Sequence, residues 1–306
     1  MEPTLIAIQN VVHATCMQLD VPYNESAVLQ NISTFANEFL TGVVRFRTSD
    51  RPVKPLSYQV ECAYDEKTWQ KVWQAIDTTC PAALLLLLFK QNFIQHIQRI
   101  IIDFHPTQGV WKVWFLLKAQ QQQQSVPLMD QLTDLVYQNH TLHKLTTKIY
   151  QTMQSHHHRL YSVGVDVMYG CGNIFFENCP TLDQEKIQNL FDNWGCKVPH
   201  HIPQSVSEKC QIDTNRLSSW YDDHCKSAQH IGFNFDVTGE FRRISFCSPF
   251  VGTVPPHVSN EWKELLLSKL PSDKSHSDQR NLMCEYSFGL GIDVEFKKFE
   301  WVYCSA

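Results

Sequence analysis

The stretch RIIIDFHPTQGVWKVWFLLK, residues 99–118, decides the fold class. Its halves, RIIIDF (99–104) and VWKVWFLLK (110–118), are rich in the β-branched and aromatic residues that favour strands, and HPTQG between them has turn chemistry. The pattern predicts a β-hairpin. In the second half Val113, Phe115 and Leu117 alternate with Lys112, Trp114 and Leu116. One face is apolar and turns to helices; the other carries a charge beside an aromatic ring.

Helices precede this hairpin. Asp65 stands as an N-cap before Trp69, Val72, Trp73 and Ile76 at helical spacing, and the leucine run at 82–89 carries a second helix to about residue 98. Two helices followed by two strands are read at four more places. Helices over 5–19 and 24–40, with Ser26 as cap and Gly42 as stop, precede strands at 43–48 and 56–64. Helices over 128–137 and 140–153 precede strands at 160–169 and 173–177, and helices at 183–194 and 215–225 precede strands at 230–237 and 241–247. A helix at 260–270 and a weaker one near 277 precede strands at 283–294 and 296–303.

The expected fold class is therefore α+β: a ten-stranded antiparallel β-barrel surrounded by α-helices, built from five ααββ repeats at about 1–64, 65–118, 119–177, 178–247 and 248–306, in one domain spanning 1–306. Closure would remove the edges of the sheet and leave the helix pairs outside. Ten strands exceed the ~8 whose side chains fill a lumen, so a ligand chamber is expected. A two-layer α+β domain is the alternative.

Composition narrows the function classes. Of 306 residues 43% are hydrophobic and 19% charged, enough apolar material for a large core. A net charge of −5 disfavours a general nucleic-acid binder. Eleven cysteines without a CxxC pair argue against a disulfide framework or zinc ribbon and for a reducing, cytoplasmic setting. The start, MEPTLIAIQN, does not read as a signal peptide, and the leucine run is far short of the ~20 residues that cross a bilayer, so no membrane partner is expected. The glutamine run 120–124 reads as an exposed linker and His156, His157 and His158 as a solvated loop.

The inner faces of the strands carry the chemistry. Alternation sends Val44 and Phe46, Val60 and Cys62, Ile174 and Phe176, Ile244 and Phe246, and Phe299 and Trp301 outward. It sends Arg45, Arg47, Gln59, Glu61, Lys112, Trp114, Asn173, Phe175, Arg243, Lys298 and Glu300 inward. That set holds five cations and two carboxylates. Unpaired buried charge is costly, and a bound polyanion such as diphosphate would balance the excess. The bland reading sets some of these residues at barrel rims, in water. The sequence has no GxxxxGK(S/T), no GxGxxG and no DDxxD pattern, and Asp222 with Asp223 reads as helix surface, so Lys and Arg are expected to hold the diphosphate.

At these residues the chain resembles the aromatic prenyltransferases of the ABBA fold, NphB/CloQ type. ISTFANEFLTGVVRF, IIIDFHPTQGVWKVWF, GNIFFENCPTLDQEKIQNLFDNWGCKVP and TGEFRRISF carry the likeness, which spans nearly the whole chain at low identity. A distant similarity to cyanobactin peptide prenyltransferases lies in the same frame. The resemblance implies that Glu61 is the acceptor-side carboxylate and catalytic group, and that Asp103, Lys112, Asn173, Arg243 and Lys298 bind diphosphate, with Arg47 beside them. Tyr169 stands where family members often have a Lys, and Glu300 and Val302 stand where small or tyrosine side chains line the acceptor pocket. Trp114, Phe175 and Glu300 are then the prenyl and acceptor wall.

The implied reaction moves a dimethylallyl or geranyl group from its diphosphate to an electron-rich aromatic acceptor. An indole of hapalindole/ambiguine type fits. No cofactor is required, with magnesium at most assisting. A peptide prenyltransferase and a non-catalytic isoprenoid- or anion-binding barrel are the alternatives.

Overall fold

The computed structural model describes residues 2–49, 56–118, 159–177, 230–236, 241–251, 283–291 and 295–303. Among them run α1 (Pro3–Leu19), α2 (Glu25–Thr34), α3 (Ala36–Thr41), β1 (Val43–Ser49), β2 (Ser57–Ala63), α4 (Glu66–Ala75), α5 (Pro81–Phe93), β3 (Ile97–Phe104) and β4 (Val110–Leu117). Then follow β5 (Arg159–Asp166), β6 (Cys171–Glu177), β7 (His230–Asp236), β8 (Phe241–Val251), β9 (Met283–Gly291) and β10 (Glu295–Tyr303). Each strand pairs antiparallel with its neighbours in sequence. β1 also pairs with β10, from Val44↔Tyr303 to Ser49↔Lys298, and the order β1-β10-β9-β8-β7-β6-β5-β4-β3-β2 returns on itself as a closed barrel.

The expected fold class is corrected in its repeat. The described residues do not show five ααββ units: three helices precede the first hairpin, and only the second cycle has two helices before two strands. The single helix expected over 24–40 breaks at Phe35, where φ −107° and ψ 30° leave the helical region. Ser33 and Thr34 are poor helix formers, and the Phe35 ring is drawn into the core at 5.2 Å from Phe104, edge-on. The helices read over 128–153, 183–225 and 260–277, the glutamine run, His156–His158 and Asp222–Asp223 lie outside the described residues.

Local chemistry also moves several boundaries. Asn24, not Ser26, caps α2, its side-chain oxygen accepting from Ala27 N at 3.1 Å. Asp65 caps α4 by accepting from Thr68 N at 2.7 Å. α5 stops at Phe93, five residues short of the expected end near 98, because Ile97 already starts β3. β5 stops at Asp166 instead of 169. The Asp166 carboxylate accepts from Tyr169 N at 3.0 Å and Gly170 takes φ 65°, which turns the chain into β6.

Helices cover the outer face of the wall where they are described. Val44, Phe46, Val60, Ile102, Phe104, Val113 and Phe115 are buried with Phe35, Phe39, Trp69 and Val72 in one core. Tyr58 stacks on Phe104, and Asn31 donates to the Tyr58 hydroxyl at 3.0 Å, tying α2 to β2. Among the described cysteines, Cys16, Cys62 and Cys80 are free, and burial pushes the Cys62 thiol up to about 12. No described helix is long and apolar enough to cross a membrane.

α3 and α4 are joined by a buried acid. Glu38 accepts from Lys71 Nζ at 2.8 Å on both oxygens and from Thr68 Oγ1 at 3.0 Å. Lys71 is about one-third exposed, so water screens part of this pair. Glu38→Ala is expected to cost about 1–3 kcal/mol, less than the ~3–5 of a fully buried broken pair. Urea denaturation checks it, and a loss within ~0.5 kcal/mol of zero would show the pair to be idle.

Candidate active site

Residues directly opposite in an antiparallel ladder share a face. The registers Arg45↔Gln59, Gln59↔Asp103, Asp103↔Lys112 and Lys112↔Asp166 therefore draw one line of polar side chains across β1 to β5, on the face turned away from the helix-covered core. Asp103 and Gln59 are fully buried on this face, and Asp166 nearly so. Arg47 Nη1 lies 2.5 Å from Asp103 Oδ2, and Lys112 Nζ 2.8 Å from Asp166 Oδ2. Arg47 also sits 5.8 Å over the Trp114 ring, and Lys112 4.9 Å over the Trp111 ring.

One step along the strands is Glu61. Its Oε2 meets Arg45 Nη2, and its Oε1 lies 2.7 Å from Arg99 Nη1. Both oxygens are thus held by guanidinium groups. The cavity on which Glu61 opens has a volume of about 210 Å³ and includes Arg99, Leu116, Arg159, Tyr161 and Glu177 in its lining. Arg159 pairs with Glu177, and Tyr161 stacks on His230 at 4.3 Å.

Between these polar zones lies an aromatic wall. Trp114 meets Phe175 edge-on at 5.4 Å. Each ring lies over a glycine of the next strand. A Cβ on Gly164 would stand 2.4 Å from Trp114 Cε3, and one on Gly232 would stand 2.3 Å from Phe175 Cε1. The Trp114 indole N–H is buried with no hydrogen-bond partner among the described residues.

The residues singled out from sequence occupy distinct parts of this wall. Arg47, Asp103 and Lys112 share one end of the inner face, and Glu61, Trp114, Asn173 and Phe175 line its middle. The Asn173 side chain accepts from Asn234 Nδ2 at 2.9 Å. Tyr169 stands in the β5–β6 turn, exposed, its ring 6.0 Å from Trp111. Arg243, Lys298 and Glu300 are described by register alone: opposite Asn234 and Gly291, opposite Ser49 and Ser287, and opposite Arg47 and Glu285.

One inference from sequence is narrowed for the described residues. Two inward carboxylates were expected to be too few for five cations, but the wall holds more acid than that count. Arg45 has Glu61, Arg47 has Asp103 and Lys112 has Asp166, so each described cation of that set already meets a carboxylate. Arg45, Arg47 and Lys112 are therefore balanced without a diphosphate, while the side chains of Arg243 and Lys298 lie outside the described residues. Asp166, Arg99 and Glu177 were missed. Parity carried the signal: Val163 and Val165 are outward and buried, so Asp166 falls on the same side as Gly164, while Arg99 is two steps from Ile101 and four from Asp103.

A helix-clad barrel whose inner wall joins ion pairs to an aromatic patch defines a protein built to enclose a ligand. Comparison with known proteins makes it specific: the chain belongs to the family of aromatic prenyltransferase Orf2, whose profile matches residues 6–306. It is a prenyltransferase, transferring an allylic prenyl group to an aromatic acceptor, which sets aside the non-catalytic carrier. An aromatic prenyltransferase of Arthroderma otae is 26% identical over 289 residues, covering 93% of this chain and 83% of that protein. Among solved structures, NotF in complex with brevianamide F and DMSPP shares the fold at a TM-score of 0.57 and 12% identity, over 91% of this chain and 89% of the other. A 6-dimethylallyl tryptophan synthase does so at a TM-score of 0.52 and 9% identity, over 96% and 94%. These structures speak for the fold alone. The likeness that is shown is to the ABBA-fold aromatic prenyltransferases at large, not to the NphB/CloQ type in particular.

The ring-over-glycine packing gives a direct test. Gly232→Ala is expected to cost about 1–3 kcal/mol, the usual range for overpacking. In a Phe175→Ala background the same change is expected to be nearly neutral, because its clash partner is gone. A double-mutant cycle by chemical denaturation reads the coupling, and additive losses would place the ring elsewhere.

Proposed function

We propose that the chain prenylates an electron-rich, nitrogen-containing aromatic such as an indole, using dimethylallyl or geranyl diphosphate, by electrophilic aromatic substitution within one barrel domain. The observation that supports this is Glu61, buried on the inner wall yet lining the cavity beside Arg99. In this reading the allylic C–O bond breaks and diphosphate leaves with the electron pair. Lys112 and Arg47, with Arg243, Lys298 and Asn173 on neighbouring strands, stabilise that charge; Asp103 and Asp166 hold the first two in place. Tyr169 stands at the mouth of the same end. Trp114 and Phe175 shield the allyl cation from water and attract it through their faces. A ring carbon of the acceptor bonds to the cation and then loses its proton, restoring aromaticity.

Glu61 would accept the acceptor's N–H or O–H. A carboxylate has about four lone-pair sites, and the two arginines occupy one on each oxygen. The two arginines hold both of its oxygens in place, so orientation comes before proton removal in its role. Glu300, opposite Arg47 in the ladder, is the second carboxylate proposed for the acceptor side. Among its structural relatives, NotF with brevianamide F and the tryptophan synthase point toward an indole.

Glu61→Gln tests the reading. Loss of two ion pairs is expected to lower the melting temperature, and turnover per folded molecule is expected to fall ~10²–10⁴-fold, the scale of acid–base and orienting groups. A variant that melts early but keeps near-full specific activity when folded would reduce Glu61 to a brace.

We also propose that magnesium assists without being required, since the sequence has no Asp-rich motif. Part of the turnover is then expected to survive EDTA. Complete, reversible loss would transfer to a metal the charge assigned to Lys and Arg.

A further inference from the structure

We propose that the aromatic acceptor carries a carboxylate arm and that Arg99 receives it at the mouth of the cavity. This rests on the reading of Glu61 as the group that holds the acceptor ring. Arg99 reaches this place because it begins the inward series Arg99, Ile101, Asp103 on β3, opposite Leu116 and Ala63. Its side chain is 42% exposed, whereas that of Glu61 is 4% exposed. Arg99 therefore forms the open side of the ion pair and Glu61 its floor.

Donor count supports the assignment. A guanidinium has five N–H donors in a planar fork suited to carboxylate. Arg99 gives Nη1 to Glu61 Oε1 at 2.7 Å, and among the described residues no other side chain pairs with its guanidinium, which lines the cavity. Side by side, Glu61 accepts and Arg99 donates. A ligand that bridges them needs a ring N–H or O–H for the first and an anionic oxygen for the second. Arg159 adds a second guanidinium to the lining. The diphosphate of the donor is a poor candidate for this place, because Glu61 and Glu177 line it too and would repel a trianion. A single carboxylate meets less repulsion.

The probes are indole-3-acetate and its neutral amide, indole-3-acetamide. Binding is measured by calorimetry with dimethylallyl thiolodiphosphate present, and prenylation with dimethylallyl diphosphate by mass spectrometry, for the native chain, Arg99→Gln and Arg99→Lys. The native chain is expected to favour the acid. Arg99→Gln is expected to lower the acid-to-amide ratio ~10–100-fold, the worth of a charge-assisted hydrogen bond, and Arg99→Lys to keep part of it. Should Arg99→Gln fail to fold, Arg99→Lys carries the comparison through its smaller shift. An unchanged ratio, an equal loss for both probes, or a loss confined to the thiolodiphosphate would overturn the assignment. A native chain that prenylates the amide as well as the acid removes the carboxylate arm and leaves the reading of Glu61 standing. One that binds neither probe removes both.

Discussion

A charge on the inner face of a β-wall must find its partner on a neighbouring strand, because desolvation leaves it no other way to stay ionised. The rest of the site follows from this constraint. Arg47 finds Asp103 two strands away, Lys112 finds Asp166 on the adjacent strand, and Glu61 lies between Arg45 and Arg99. Registers supply these partners. A slip of one residue in β3 against β4 would send Asp103 outward beside Val113 and Phe115 and leave Lys112 facing an isoleucine. The ion pairs therefore fix the hairpin registers as much as the registers form the ion pairs.

The apolar part of the wall obeys a different rule. Trp114 and Phe175 are large, and two large rings on adjacent inner positions would fill a chamber. They lie flat because the strands beside them offer Gly164 and Gly232. The inner positions Ser162 and Ser245, also buried, continue the run of small side chains. Room for a ligand is thus made by what is missing at these positions, while the polar line across β1 to β5 occupies the other side. A cation formed near the rings would meet aromatic faces instead of water, and an anion would meet Arg47 and Lys112.

Much of this was legible in the chain. Period-two alternation marked each strand and, where side chains are described, its inner residues, and turn chemistry at HPTQG marked the hairpin. Asp65 announced its cap, since Thr68 N lies where an Asp side chain can reach it. The break at Phe35 was not legible, because it depends on a tertiary contact with Phe104, about seventy residues away. Nor were the ion-pair partners. Alternation gives a face, and only the registers Asp103↔Lys112 and Lys112↔Asp166 say who stands opposite whom. Counting charges without partners overlooked Asp103 and Asp166, which pair with Arg47 and Lys112. Asp166 and Arg99 were hidden at strand ends, where a turn or rim reading competes with an inward one.

Glu61 shows why brace and chemistry need not be separate readings. A lone carboxylate on the inner wall would be protonated or drawn back to water, and neither state could hold an acceptor's N–H firmly. Two arginines, one on each oxygen, fix its plane. In the proposed reading, an immobile carboxylate that accepts the acceptor's N–H would raise the electron density of the ring without taking the proton. That suits a reaction whose hard step is attack on a cation by a ring carbon. The final proton leaves a carbon already made acidic by its positive charge, so a weak base, or water near the exposed Arg99, is enough. In that reading the bracing contacts are what would let the carboxylate act.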